Sequence, residues 1–455
     1  MKIWNFIKEE MLRHPQQKIQ EDGAELTYEE MVIYAEKLSQ QLSGVKCCAV
    51  LCQAEMAQAT AVLACFAAGV TVVPLSHRYG QVHCSKILDT INPDAIMVES
   101  DGQFHVLHIK DNTFKEPSEK PALIMCTSGT SGSPKGAMLS GKNIITNVLD
   151  IARYFPIDTD DVILIARPLY HSAVLTGEFL TALIKGTGIR FYSGVFNPGV
   201  MLEMINEYKI TAFCGTPTLL SMMARLKRKE STLKYVCVSG ECMGKETGKK
   251  IANSFSESKI FHIYGLTEAS PRVSYLPSEL FNEYPDCVGI PLKSVNIKIV
   301  KEDGNVAKEN EEGILWVKGD NVMLGYYNQP DKTQSVLSDG WLCTGDMASI
   351  NDKGLLKIKG RADNLIIKAG MNIYPQEIEN ALKADDRVFD VLVFAEKDKN
   401  TGETITMNIA GDFDNVDQIK TLCKDVLPSY AMPSKINLLS QLKRNGSGKL
   451  IREVK

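Results

Sequence analysis

Residues 127–136 read Thr-Ser-Gly-Thr-Ser-Gly-Ser-Pro-Lys-Gly and follow the apolar run 122–126. An apolar run of that length suits a buried strand. The decapeptide after it has a flexible backbone, many N–H and O–H donors and one fixed positive charge. These are the requirements for wrapping a polyphosphate. The pattern excludes a Walker loop, which needs Gly directly before its Lys, whereas Pro134 precedes Lys135. It also excludes a dinucleotide fingerprint, because no helix pattern starts on the glycines. Residues 136–139 read as extended, and the next helix signal begins at Ser140. The stretch therefore reads as a phosphate-wrapping loop between a strand-like run and an extended segment, with an ordinary Gly/Ser turn as the alternative reading.

A length of 455 residues predicts several packed units, and 44% apolar residues allow a large core. The net charge of −4 comes from acidic and basic residues spread along the chain, so no nucleic-acid footprint is present. Twelve cysteines include no CxxC pair, and Cys47, Cys48 and Cys52 lack the partners of a zinc site. Reduced, buried thiols in a cytoplasmic protein are expected. The most apolar window, 59–75, is interrupted by Gly69 and reads as helix, stop and β-branched strand, not as a membrane span.

Strand-like runs at 50–52, 71–73, 95–98, 162–166, 189–192, 211–214, 235–239 and 259–263 alternate with helical patterns, which predicts a parallel α/β layer. Thr27 with Glu30, and Ser140, are candidate helix caps. After Ser140, Ile144, Ile145, Val148, Leu149 and Ala152 would share one face. From about Val295 the pattern turns β-rich, with strands at 295–300 and 314–318. The segment after Arg361 has its own character: Pro375 opens a helix, and 388–395 and 403–409 read as paired strands. The expected fold is α/β, with a large N-terminal domain of packed α/β subdomains plus a β-rich subdomain (1–362). A small mobile α+β C-terminal domain (363–455) follows.

Four further stretches carry polar residues that no core requires. Tyr264-Gly265-Leu-Thr267-Glu268 offers an aromatic face, a hydroxyl and a carboxylate able to hold Mg²⁺ near a phosphate loop. Gly240-Glu241 could lie against a planar base. Asp346 follows a Gly turn and suits ribose hydroxyls. Lys449 sits in a Gly-rich C-terminal stretch. Taken singly, Asp346 could cap a turn, Lys449 could be a solvated charge, and His171 could be a core histidine.

In order and together, these segments resemble the adenylate-forming superfamily of acyl- and aryl-CoA synthetases, luciferases and peptide-synthetase adenylation domains. Further anchors are Gly360-Arg361-Ala-Asp363, the stretch from Lys368 through Gly370 to Glu379, and Gly448-Lys449. The resemblance covers nearly the whole chain, in the style of stand-alone acyl- and aryl-CoA ligases. It implies that ATP and a carboxylic acid form an acyl-adenylate, which a thiol then attacks. Thr127, Ser128, Gly129, Thr130, Ser131, Gly132 and Lys135 would cradle the β- and γ-phosphates. Glu268 would hold Mg²⁺ and Thr267 would contact the α-phosphate. Tyr264, Gly240 and Glu241 would flank adenine, and Asp346 and Arg361 would bind ribose. Lys449 would bridge the substrate carboxylate and the nucleotide.

Asp363 matches the hinge about which the C-terminal domain turns, and Gly370 matches the loop that lines the thiol's path. His171, Ser172, Cys214, Gly215, Thr216, Gly265 and Ser270 are the candidate acid pocket, mixed in character and mostly small. The stretch Pro168-Leu-Tyr-His-Ser172 lacks the Asp that pairs an α-ammonium in amino-acid-activating relatives, although Glu178 lies further on. A fatty or an aromatic acid is thus expected. The acceptor is CoA or the phosphopantetheine arm of a separate carrier protein, since the chain ends six residues after Lys449. A non-catalytic nucleotide-binding relative is the remaining alternative.

Overall fold

The computed structural model describes residues 2–76, 80–109, 114–128, 134–194, 197–226, 232–368, 371–398, 402–443 and 450. Among these residues four sheets form. In the first, six strands from Lys259–Gly265 through Tyr235–Ser239, Ala212–Gly215, Val162–Ile165 and Gly188–Phe191 to Lys18–Glu21 run parallel. The second joins Thr71–Pro74, Cys47–Leu51 and Ala95–Ser100 in parallel, with Leu123–Ser128 beside Thr71–Pro74. Nearly every central residue of these strands is buried, as expected for sheets covered on both faces. Their edges are antiparallel, formed by hairpins such as Ala24–Thr27 on Lys18–Glu21. Apolar alternation does not distinguish those edge hairpins from crossovers.

Local rules explain the helix ends. Thr27 and Glu30 form a reciprocal capping box, and Ser140 does so with Asn143. Helix Glu55–Ala68 stops at Gly69, which takes the left-handed conformation with φ 67°, before strand Thr71–Pro74. No described helix is long and apolar enough to cross a membrane. The helix Gly141–Tyr154 corrects one expectation. Its buried face carries Ile144, Asn147, Val148 and Ile151, whereas Leu149 is 39% exposed. Asn147 turns inward because its amide brackets the backbone of Arg272, donating to the carbonyl at 2.8 Å and accepting from the N–H at 3.1 Å.

The β-rich subdomain pairs Val295–Val300, Gly313–Gly319, Trp341–Ile350 and Leu356–Arg361 antiparallel. Beyond it, Ile366 to Leu438 build a fourth sheet with helices Pro375–Lys383 and Val416–Val426 and a separate hydrophobic core. This small domain meets the large one through polar contacts. Arg225 donates to the Val388 carbonyl at 2.8 Å, Lys250 to that of Ala384 at 2.6 Å, and Tyr374 to Glu312 at 2.8 Å.

Candidate active site

Strands Leu123–Ser128 and Pro134–Leu139 pair antiparallel, with Thr127 opposite Lys135 and Ser128 opposite Pro134. The apolar run and the extended segment on either side of residues 129–133 are therefore paired strands. Gly129, Thr130, Ser131 and Gly132 lie outside the described residues, as do Gly370 and Lys449. Lys135 is half-buried, and its Nζ stands 5.3 Å from the centre of the Tyr326 ring. The Tyr326 hydroxyl donates to Glu268 Oε1 at 2.8 Å. Tyr326 reaches this position because Gly325–Tyr326 adds an edge strand to the loop's own hairpin, with Tyr326 opposite Ala137. A cation, a phenol and a carboxylate from three distant segments thus form one row.

A second group joins the end of strand Lys259–Gly265 to the β-rich subdomain. The Tyr264 hydroxyl donates to Asp346 Oδ2 at 2.5 Å, and Arg361 stands 3.6 Å from the same carboxylate. Arg361 also donates to the Thr344 carbonyl at 2.7 Å and to Asp363 at 3.2 Å. Gly345 is required here: its φ is +71°, and a Cβ would stand 2.8 Å from the Arg361 guanidinium. Burial raises the Asp346 carboxyl above its usual range, against the opposing pull of the Tyr264 hydroxyl and Arg361.

Thr267 and Ser172 bring their hydroxyls within 3.1 Å of each other. Thr176 then ties the Ser172 carbonyl to that of Ser270 at 2.8 and 2.9 Å. His171 precedes this helical stretch and lies 4.2 Å, ring to ring, from Tyr170. Gly215 ends its strand, and Thr216 caps helix Pro217–Arg225 by accepting from Leu219 N–H. Glu241 serves the same helix start, accepting from the Thr218 hydroxyl at 2.6 Å. Its carboxylate is thereby turned to the helix, leaving the backbone of Gly240, with φ +95°, beside Thr216 and Arg167. Gly265 is crowded by the Pro271 carbonyl.

Cys214 is deeper than a pocket wall. Its thiol is fully buried against Cys237, beside Glu178 and Arg272. Glu178 itself is buried in an ion pair with Arg167 and also feels Arg272. Two guanidiniums around one carboxylate repel an ammonium, so Glu178 does not substitute for the missing Asp. Sequence patterns missed Tyr326, Thr344, Arg167 and Arg272. The last two carry a signal: each charge adjoins an apolar strand run, where lone charges are rare unless engaged.

The chain belongs to the AMP-binding enzyme family. The family model matches residues 7–327, and that of the AMP-binding enzyme C-terminal domain matches 377–449. A long-chain-fatty-acid–CoA ligase of Haemophilus influenzae is 32% identical over 350 residues, covering 74% of this chain and 61% of the relative. The chain spans 61% and 60% of the length of that ligase and its Yersinia pestis counterpart. A feruloyl-CoA synthase of Amycolatopsis is 28% identical, over 86% of this chain and 84% of the relative. The o-succinylbenzoate CoA synthetase of Bacillus subtilis, solved with its acyl-adenylate intermediate, superposes with a TM-score of 0.87. It is 26% identical over 98% of this chain and 97% of its own.

Proposed function

We propose that this chain activates a carboxylic acid with ATP to an acyl-adenylate and passes the acyl group to the thiol of CoA. The observation that carries this reading is the pair of clusters at one strand end. Lys135, Tyr326 and Glu268 form one, and Tyr264, Asp346 and Arg361 the other, with Glu268 close enough to act on the Asp346 carboxyl. Their chemistry suits a nucleotide laid across the end of strand Lys259–Gly265, with phosphates toward Lys135 and ribose toward Asp346. Arg361 holds the Asp346 carboxylate for the ribose hydroxyls, and the Tyr264 ring and the Gly240-Glu241 backbone flank the base.

Glu268 fits a magnesium ion: one carboxylate, with Oε1 already held by Tyr326, leaves an oxygen for a cation that takes its other ligands from phosphate and water. When bound, that ion neutralises phosphate charge. Thr267 and Ser172 would orient the α-phosphate and the acid, with His171 and Thr216 along the acid's path. The carboxylate attacks the α-phosphorus and pyrophosphate leaves, so the obstacle is the approach of two anions. In this reading Lys449 supplies the cation between them. The domain beyond residue 362 then turns about Asp363 to withdraw Lys449 and bring Gly370 to the thiol's path. A small-domain core of its own and a polar interface support such a motion.

Pyrophosphate release with a panel of aliphatic and aromatic acids tests this reading. Release that requires both an acid and ATP is expected. Acid-independent ATP turnover, or no release with any acid, overturns it. Supplying CoA and phosphopantetheinylated carrier proteins in parallel identifies the acceptor.

Asp346 offers a second test. A carboxyl whose folded pKa is raised binds its proton more tightly when folded, so folding stability falls as pH rises from the unfolded value of 3.8 through the raised one. The ionised carboxylate is thus a net cost at neutral pH. Asp346→Asn should make the ligand-free protein more resistant to urea at pH 7, by a margin that shrinks toward pH 4, while weakening ATP binding. A variant less stable at pH 7, or one with undiminished ATP affinity, would contradict the ribose assignment and its electrostatic basis.

A further inference from the structure

The small domain meets the large one through one face of helix Pro375–Lys383. That helix turns Ile378 and Leu382 into its own domain's core. Its half-buried polar residues Gln376, Asn380 and Lys383 recur at i, i+4 and i+7, so they share another face. The large domain receives that face with two glycines. A Cβ on Gly360 would stand 2.9 Å from the Gln376 amide carbon, and one on Gly244 would stand 2.8 Å from Asn380 Cβ. Two polar side chains are thus seated over backbone that leaves no space for a third.

The rest of the contact is polar and accessible. Arg225 reaches the Val388 carbonyl, and Lys250 reaches the Ala384 carbonyl and pairs with Asp386. The Asp386 side chain is 74% exposed, so this pair is weak alone and weakens further with salt. The Gln376 side-chain oxygen is buried without a partner among the described residues. Beside Asn380, a cavity of about 30 Å³ lies between Ser221, Arg225 and Phe389, room for a water or two. A face that is matched in shape but wet and incompletely bonded separates more readily than an apolar one.

The flanks of Gly370 indicate which arrangement this seat holds. Ile367 and Met371 are 52% and 42% exposed. Ile367 and Lys368 bond within the small domain, to Glu403 and to the carbonyls of Tyr430 and Met432. The flanks of the segment assigned to the thiol's path thus face solvent. A turn about Asp363 must lift Asn380 off Gly244, because the helix moves with the small domain and Gly244 does not.

We propose that Gly244, Asn380 and Lys250 are positioning residues: together they seat the small domain in the adenylating arrangement, and the strength of the seat sets the balance between the two half-reactions. This rests on the adenylation reading, since it has Lys449 act in the seated arrangement and Gly370 in the turned one. The ratio of adenylation rate to acyl-transfer rate then follows the ratio of seated to turned molecules, whichever is in excess.

Gly244→Ser tests the seat. Gly244 caps helix Lys245–Ser254 with φ −80° and ψ 157°, a conformation open to most residues, and serine is at least as good a cap as glycine. The variant should keep its fold while its Cβ presses on Asn380. Pyrophosphate release with acid and ATP gives one rate, and transfer from preformed acyl-adenylate to CoA gives the other. Their ratio should fall about tenfold, the effect of a modest overpacking cost. Adding Asn380→Gly removes the opposing Cβ and should restore most of the ratio. Lys250→Gln, which leaves the helix start untouched, should lower it about threefold. Hydrogen exchange of the ligand-free protein gives a readout besides turnover. Peptides spanning 245–254 and 375–383 should exchange faster in Gly244→Ser, with strand Gly402–Gly411 unchanged. An unchanged ratio, equal slowing of both half-reactions, or no rescue by Asn380→Gly overturns the proposal. If the parent chain releases pyrophosphate with none of the acids, the adenylation reading fails instead, and hydrogen exchange alone then decides whether Gly244 and Asn380 seat the domain.

Discussion

A Lys449→Ala protein should bind ATP nearly as tightly as the parent chain and release pyrophosphate about 10³-fold more slowly, the upper end of what one preorganised donor supplies. The expectation follows from charge. The carboxylate and the triphosphate repel each other at the distance where the new bond forms, and an ammonium between them removes that barrier without adding to nucleotide affinity. Lys449→Arg keeps the charge on a wider, planar group and should recover only part of the rate. ATP titration and a pyrophosphate assay check both statements. A third measurement isolates the domain turn: supplied with preformed acyl-adenylate, Lys449→Ala should transfer the acyl group to CoA at close to the parent rate. Unaltered pyrophosphate release would remove Lys449 from the reaction, and an equal loss in both half-reactions would remove the turn.

Features set by short stretches of chain were readable, because there local sequence and local structure coincide. The apolar run before Thr127 and the extended reading of 136–139 are local signals, and both segments are strands. Capping chemistry at Thr27 and Ser140, Gly69 after a helix, and Pro375 at a helix start are equally local, and each stands where expected. What escaped sequence reading depends on long-range register. Tyr326 links Lys135 to Glu268 only because its two-residue strand pairs with a hairpin almost two hundred residues earlier. The inward turn of Asn147 has the same origin, since its partner is the backbone of Arg272. Periodicity of apolar residues cannot anticipate a polar side chain buried for a hydrogen bond across the fold.

Gly265→Ala should be the most damaging single-methyl change in the site. A Cβ there would stand 2.2 Å from the Pro271 carbonyl oxygen, 2.9 Å from its carbon and 3.2 Å from Arg272 Cα. All three are backbone atoms, so no side-chain rotation relieves the contact. The crowding has a structural cause. Strands Lys259–Gly265 and Arg272–Leu276 shift register between Tyr264 and Gly265, and Leu266 N–H bonds to the same Pro271 carbonyl at 2.8 Å. A methyl group must therefore part the two strands or break that hydrogen bond. Overpacking of this kind costs about 3 kcal/mol. The larger effect concerns function, because Tyr264 lies on one side of the shift and Thr267, Glu268 and Arg272 on the other. A displacement of about 1 Å among reacting groups lowers rate about 10²-fold, so adenylation should fall by at least that factor even at temperatures where the variant is fully folded. Gly80→Ala, where a Cβ meets nothing within 4 Å, is the matched control. It should cost under about 1 kcal/mol, the difference between glycine and alanine at a helix start. Urea denaturation beside pyrophosphate release separates the two effects. If Gly265→Ala loses stability but keeps its rate, the hairpin yields away from the site, and the register shift does not position Thr267 and Glu268.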